Sequence, residues 1–130
     1  MRPASQLEPW LLNHLNLPVK NIDASLAFYV RKLGFLYCRH LHATKVILSA
    51  GSFDFFLEEH VSDIAHPKFH FGIQTTVEGV YAWEALIRDQ EIPQVVGPQP
   101  TGEARMYVTP DQLRHVFYFA DPDGHIIEVY

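Results

Sequence analysis

Phe69-His70-Phe71-Gly72-Ile73-Gln74-Thr75 decides the fold, because there the chain begins its opening pattern a second time. The first occurrence is Leu11-Leu12-Asn13-His14-Leu15-Asn16-Leu17-Pro18-Val19. Its apolar and polar residues alternate, the period-two signature of a half-buried strand. Asn13, Leu15 and Leu17 share one face; His14 and Asn16 share the other. A helix follows over residues 21–34: Asp23 is the expected N-cap, and Leu26, Tyr29, Val30 and Leu33 form its apolar stripe. Arg31 and Lys32 suit the negative end of its dipole, and Gly34 suits the position just past its end. Three strand-like runs come next, Phe35 to Leu41, Thr44 to Ser49 and Phe53 to Glu58, with Ala50-Gly51-Ser52 as a tight turn.

A polar connection from Ser62 to Lys68, containing Pro67, leads into the second copy. Residues 69–75 are its first strand and Val77 to Gln90 its helix, with Val80, Trp83, Ala85, Leu86 and Ile87 supplying apolar positions. Pro93, Pro98 and Pro100 mark a longer loop. Met106-Tyr107-Val108 and Arg114 to Ala120 read as strands joined by Thr109-Pro110-Asp111-Gln112. Asp121-Pro122-Asp123-Gly124 is a strong turn, and His125 to Tyr130 is the last strand, with His125 expected as a turn residue. The order is βαβββ twice. We therefore expect an α+β fold of two βαβββ modules, residues 11–60 and 69–130, within a single domain of 1–130. Neither module covers its own sheet, so the two pair within one chain or by exchange between two chains.

Composition narrows the function. Hydrophobic residues make up 48% and charged residues 19%, which places the chain among globular proteins. The net charge of −5, without a basic run or basic helix face, argues against a nucleic-acid partner. The lone cysteine, Cys38, allows no intrachain disulfide, and no run is apolar enough for a membrane helix. The opening residues lack the apolar core of a signal peptide. The expectation is a cytoplasmic protein.

The chemistry concentrates at three residues. Overlaying the halves sets His14 on His70, each at the same place in a first strand. Glu128 lies in Ile126-Ile127-Glu128-Val129-Tyr130, where a carboxylate between apolar neighbours is costly unless paired or ligated. Two neutral imidazoles and a carboxylate suit Fe(II), Mn(II), Ni(II) or Zn(II) and leave positions open for a substrate. Tyr118 and Arg114 share strand parity. If their face looks into the site, Tyr118 can donate to a metal-bound oxygen and Arg114 can hold a substrate anion. The plainer alternatives are a core aromatic and a surface ion pair. Asn16 and Gln74, two residues beyond each histidine, are candidate substrate contacts. Asp54, amid apolar neighbours, needs a partner. His40, His42, His60 and His66 have no counterpart in the other half and are read as surface residues.

These segments together resemble the vicinal oxygen chelate superfamily, which includes glyoxalase I, fosfomycin-resistance transferases, extradiol dioxygenases and bleomycin-binding proteins. The resemblance is carried by Leu12-Asn13-His14-Leu15-Asn16-Leu17, by Ala27-Phe28-Tyr29 with Leu33-Gly34-Phe35, by His70-Phe71-Gly72-Ile73, and above all by the block from Phe117 to Glu128. It implies paired βαβββ modules forming a cupped mixed sheet, a divalent metal at His14, His70 and Glu128, and a homodimer, possibly with exchanged modules. It also implies a small-molecule substrate that chelates through neighbouring oxygens. Glyoxalase I has a fourth ligand, a Glu, where this chain places Phe56; Asp54 and Glu58 share that face, and either restores a carboxylate if the register shifts. With Phe56 there, the site has three ligands and Phe56 serves as an apolar wall of the cup. That arrangement favours dioxygenase-like or transferase-like use over isomerisation. The chain departs from the fosfomycin enzymes at Asn16 and Val116. It departs from the extradiol dioxygenases at Thr109-Pro110-Asp111, where they carry a histidine that His115 stands too close to replace. The competing function is a protein that sequesters a drug or metabolite in the same cup without chemistry, for which the negative charge suits a cationic ligand.

Overall fold

The computed structural model describes residues 3–7, 9–60, 68–97, 103–111 and 113–130. Most of the connection from Ser62 to Lys68, together with His66, Pro98, Pro100 and Gln112, lies outside them. The first module runs β1 (His14–Val19), α1 (Ile22–Leu26), β2 (Leu36–His42), β3 (Lys45–Ala50) and β4 (Phe53–Glu59). The second runs β5 (His70–Ile73), α2 (Val77–Asp89), β6 (Tyr107–Val108), β7 (His115–Ala120) and β8 (Ile126–Val129). The two sheets have the orders β1-β4-β3-β2 and β5-β8-β7-β6. Adding four to each strand number of the first gives the second, so the duplication expected from the sequence is present in the topology. Among the described residues, no helix is long and apolar enough to cross a membrane.

In each module the first strand pairs in parallel with the last, and the remaining pairings are antiparallel. Alternation then sorts the side chains. Leu17, Val19, Val46, Leu48, Phe55 and Leu57 point to one side of the first sheet and are buried. Phe117, Phe119, Ile127 and Val129 do the same in the second. With Phe28, Tyr29, Val80 and Ile87 from the helical segments they form one apolar cluster that spans both modules. Ring pairs cross the junction, Phe28 with Phe119 at 6.2 Å and Phe55 with Phe71 at 5.1 Å. The opposite faces, which carry His14 and Glu128, stay open.

The first helix differs from expectation in two ways. Its N-cap is Asn21, not Asp23: Asn21 is extended (φ −148°, ψ 113°), and its Oδ1 accepts from the Ala24 amide at 2.9 Å. Asp23 sits within the first turn, where its charge meets the positive end of the dipole. After Leu26 the helix widens to π geometry over Ala27–Lys32, with the Leu33 amide donating to the Phe28 carbonyl at 3.0 Å. The extra residue per turn lets adjacent Phe28 and Tyr29 both face the core, edge to face at 5.0 Å. Gly34 ends the segment at φ +81°, as its position predicted.

His125 is the larger correction. It is fully buried rather than a turn residue. Its Nδ1 accepts from the Phe69 amide at 3.0 Å, so its Nε2 carries the proton and donates to the Pro18 carbonyl at 2.9 Å. One neutral imidazole thus ties β1 of the first module to the entry of β5 in the second. Around it, Asp121 accepts from the Asp123 and His125 amides at 2.9 Å each and from the Tyr29 hydroxyl at 2.8 Å. Burial raises the Asp121 carboxyl above the usual carboxylate range, opposed by the Tyr29 hydrogen bond. The same burial, and the charge of Asp121, raise the Tyr29 phenol. Asp123 accepts from the Lys20 amide at 2.9 Å and so links the turn back to the first module.

Replacing His125 removes both bonds at once and leaves a partly buried amide and a partly buried carbonyl unpaired. We predict that His125→Ala lowers stability by roughly 2–4 kcal/mol. Urea unfolding at neutral pH measures it; a loss below about 1 kcal/mol would mean that the tie contributes little to holding the modules together.

Candidate functional site

The register places the site residues. In the first module His14 lies beside Asp54, Asn16 beside Phe56 and Pro18 beside Glu58. In the second, His70 lies beside Ile126 and Gly72 beside Glu128. Counting from each histidine, Phe56 occupies the position that Glu128 occupies in the second module. Asp54 corresponds to Ile126. The side chains repeat the relation: His14 stacks on Phe56 with ring centroids 4.7 Å apart, and His70 Nε2 lies 3.6 Å from Glu128 Oε2.

Glu128 is held on its other side. The Tyr118 hydroxyl donates to Oε1 at 2.8 Å, and the Tyr118 ring stands edge-on to His70 at 6.0 Å. Tyr118 is directly opposite Glu128 across β7 and β8. Burial, and then the hydrogen bond to Glu128, push the Tyr118 phenol far above its ordinary range, so it remains a donor at every working pH. The backbone at Gly97 lies against the Tyr118 ring, closer than any Cβ would permit. Glu128 thus has one oxygen fixed by Tyr118 and the other turned toward His70.

On the first module, His14 is exposed and its Nδ1 pairs with the Asn13 side chain at 2.9 Å. Asn16 donates to Glu58 at 3.2 Å, and Lys45 reaches the same carboxylate at 3.4 Å. The Asn16 bond, then Lys45, hold the Glu58 carboxyl below its usual range. Glu58 is therefore engaged along the sheet, and Lys45 also stands 5.6 Å over the Phe56 ring. Asp54 is half-buried beside His14. Gln74 lies just past β5, and Arg114 just before β7 with its guanidinium 5.3 Å over the Tyr130 ring. Of the remaining histidines, His40 bonds Tyr37 at 2.6 Å and His42 bonds Thr44 at 3.3 Å.

The structure brings His70, Glu128 and Tyr118 together. It does not bring His14 to them: among the described residues no three His, Cys, Asp or Glu side chains converge to hold a metal ion. Two residues of this face went unremarked in the sequence, Tyr130 and Lys45. Tyr130 has the strand parity of Glu128, which was the available signal. Lys45 carried none until its pairing with Glu58 was known.

The fold is a duplicated βαβββ unit with a histidine opening each module and, in the second, a glutamate held by a tyrosine. The chain belongs to the Glyoxalase/Bleomycin resistance protein/Dioxygenase superfamily, whose family model matches residues 11–129. Solved structures share the fold. A lactoylglutathione lyase from Agrobacterium tumefaciens superposes with a TM-score of 0.73 at 21% identity, covering 93% of this chain and 92% of that one. A glyoxalase family protein from Enterococcus faecalis gives 0.72 at 23%, covering 92% and 95%. The oxidase ChaP-H2 gives 0.74 at 18%, covering 94% and 93%. A search of curated proteins finds no match.

The Tyr118–Glu128 bond is half-buried and charge-assisted, so its loss is measurable without any ligand. Tyr118→Phe is expected to cost about 1 kcal/mol of stability by chemical denaturation near pH 7. An unchanged midpoint would show that Glu128 takes another donor.

Proposed function

We propose that this protein is a divalent-metal-dependent enzyme acting on a small molecule that chelates through neighbouring oxygens, with His14, His70 and Glu128 as the metal ligands. One observation carries the reading: His70 and Glu128 converge on an open sheet face with Glu128 already oriented by Tyr118, and His14 is the repeat counterpart of His70. Two imidazoles and one carboxylate fit Fe(II), Mn(II), Ni(II) or Zn(II). When bound, such an ion supplies Lewis acidity that stabilises negative charge developing on a substrate oxygen.

His14 belongs to the same site only if a second chain delivers it. The modules of one chain meet through their apolar faces, and the faces with His14 and with His70–Glu128 both point outward. We infer a homodimer with exchanged modules, in which His14 of one chain completes the His70–Glu128 pair of the other. Phe56 then stands as an apolar wall beside the ion where a fourth carboxylate would otherwise be, which makes this a three-ligand site. Asn16 and Asp54 line the same wall, and Gln74 extends the opposite one.

Tyr118 acts as a positioning residue in this arrangement. Its proton is committed to Glu128, which fixes the carboxylate in the orientation a ligand needs. Lys45 holds Glu58 away from the ion by pairing with it along the sheet. A sequestering protein that binds without chemistry is the competing reading; a protein that retains its metal yet turns over nothing in a substrate screen would favour it.

Metal content of wild type and of His14→Ala, His70→Ala and Glu128→Ala tests the ligand set, with loss expected in each variant. The exchange is tested by refolding His14→Ala and Glu128→Ala together. Mixed dimers then contain one intact site and one doubly broken site, so about a quarter of the wild-type metal should return at equal mixing. No recovery would place each site within one chain.

A further inference from the structure

Gly72 is the point where two side chains of the open face meet. A Cβ there would lie 3.1 Å from Tyr130 Cε1 and 3.8 Å from Glu128 Oε2, so the absent side chain makes room for the Tyr130 ring beside the carboxylate. Over the same ring stands the Arg114 guanidinium, 5.3 Å from its centroid. Beyond it, Gln74, Thr75, Arg114, His115 and Tyr130 line a cavity of about 160 Å³. His115 borders it, although its Nδ1 is buried away from solvent and has no hydrogen-bond partner among the described residues. Its ring is positioned by Tyr81, at 5.4 Å.

Arg114 has no carboxylate within ion-pair distance among the described residues. The acid that feels it is Asp111, whose carboxyl is lowered first by the Thr109 hydrogen bond and only in small part by Arg114. In a chain of net charge −5, an unpaired guanidinium packed on an aromatic ring is a localised cationic spot. The ring attracts the exposed guanidinium through its negative face and holds it near the cavity mouth. A planar fork of donors matches a carboxylate. The volume selects among anions: it is well below that of a typical small-molecule pocket and leaves no room for a nucleotide or a sugar phosphate.

We propose that this cavity is a carboxylate subsite, with Arg114 and the Gln74 amide as donors. The class of substrate follows: a small carboxylic acid whose carboxylate rests here while its chelating oxygens reach past the Tyr130 ring to the metal. That last clause rests on the proposed function; the anion subsite itself does not.

The test is a titration of malonate into chelator-treated and metal-loaded protein, read by ¹H–¹⁵N shifts of the Arg114 guanidinium and the Gln74 side-chain amide. Saturable shifts at both are expected in the chelator-treated protein. Affinity should fall about tenfold or more in Arg114→Gln, and partly return in Arg114→Lys. Arg114 is exposed, so circular dichroism should show both variants folded. Shifts that are absent, or equally strong in Arg114→Gln, overturn the subsite. So does inorganic phosphate binding as tightly as malonate, because the cavity would then not select carboxylate. The two readings fail separately: malonate bound by a chain that never loads metal leaves the subsite and removes the metal, and the converse result leaves the metal alone.

Discussion

Parallel pairing of each module's first strand with its last is the constraint on which the rest depends. A parallel pair lets a residue near the start of the chain segment lie beside one near its end, on a shared face, without a connecting turn. That pairing sets His70 and Gly72 beside Ile126 and Glu128, and His14 and Asn16 beside Asp54 and Phe56. Because side chains alternate strictly, the residues between them, such as Phe71, Ile127, Leu15 and Phe55, turn to the apolar cluster. The chemistry of one face and the packing of the other are a single decision about register.

The second constraint is the junction. The apolar faces of the two sheets are covered partly by helical segments and partly by each other, through Phe28, Phe119, Phe55 and Phe71. The buried cluster of Tyr29, Asp121 and His125 satisfies backbone groups from β1, the turn and the β5 entry in one place. A buried carboxylate is expensive, and three hydrogen bonds offset much of that cost here. The reward is specificity of docking: aromatic packing alone tolerates sliding, whereas a ring with one donor and one acceptor nitrogen admits one arrangement.

Much of this was legible in the sequence, and the failures have physical reasons. Period-two alternation from Leu11 to Val19 and around His70 revealed the strands, and the repeated order revealed the duplication. The correspondence of Phe56 with Glu128 was implied by the family resemblance; alternation alone puts Asp54, Phe56 and Glu58 on one face, and the strand pairing selects among them. The burial of His125 could not be read. It lies in a turn of Asp, Pro and Gly, where local chemistry indicates solvent, and its partners Pro18 and Phe69 are far away in sequence. Asn21 and Asp23 are both competent caps; the choice turned on where the preceding strand ended. The two histidines were expected to meet, since repeats related by symmetry place equivalent residues near an axis. In one chain the apolar faces meet at the junction, and among the described residues His14 does not join His70 and Glu128 in a ligand cluster.

Phe56 has a consequence for how such a site diversifies. Duplication supplies two copies of one position on the open face, filled by Phe56 in the first module and by Glu128 in the second. Leu57 and Phe55, its neighbours, are buried and bound to the fold, while Phe56 is only half-buried on the open face. Selection on folding therefore weighs lightly on residue 56, and selection on chemistry can act there almost alone. The copy at residue 56 becomes a tuning position: it alters the charge and shape of the open face with little disturbance to the scaffold that presents it.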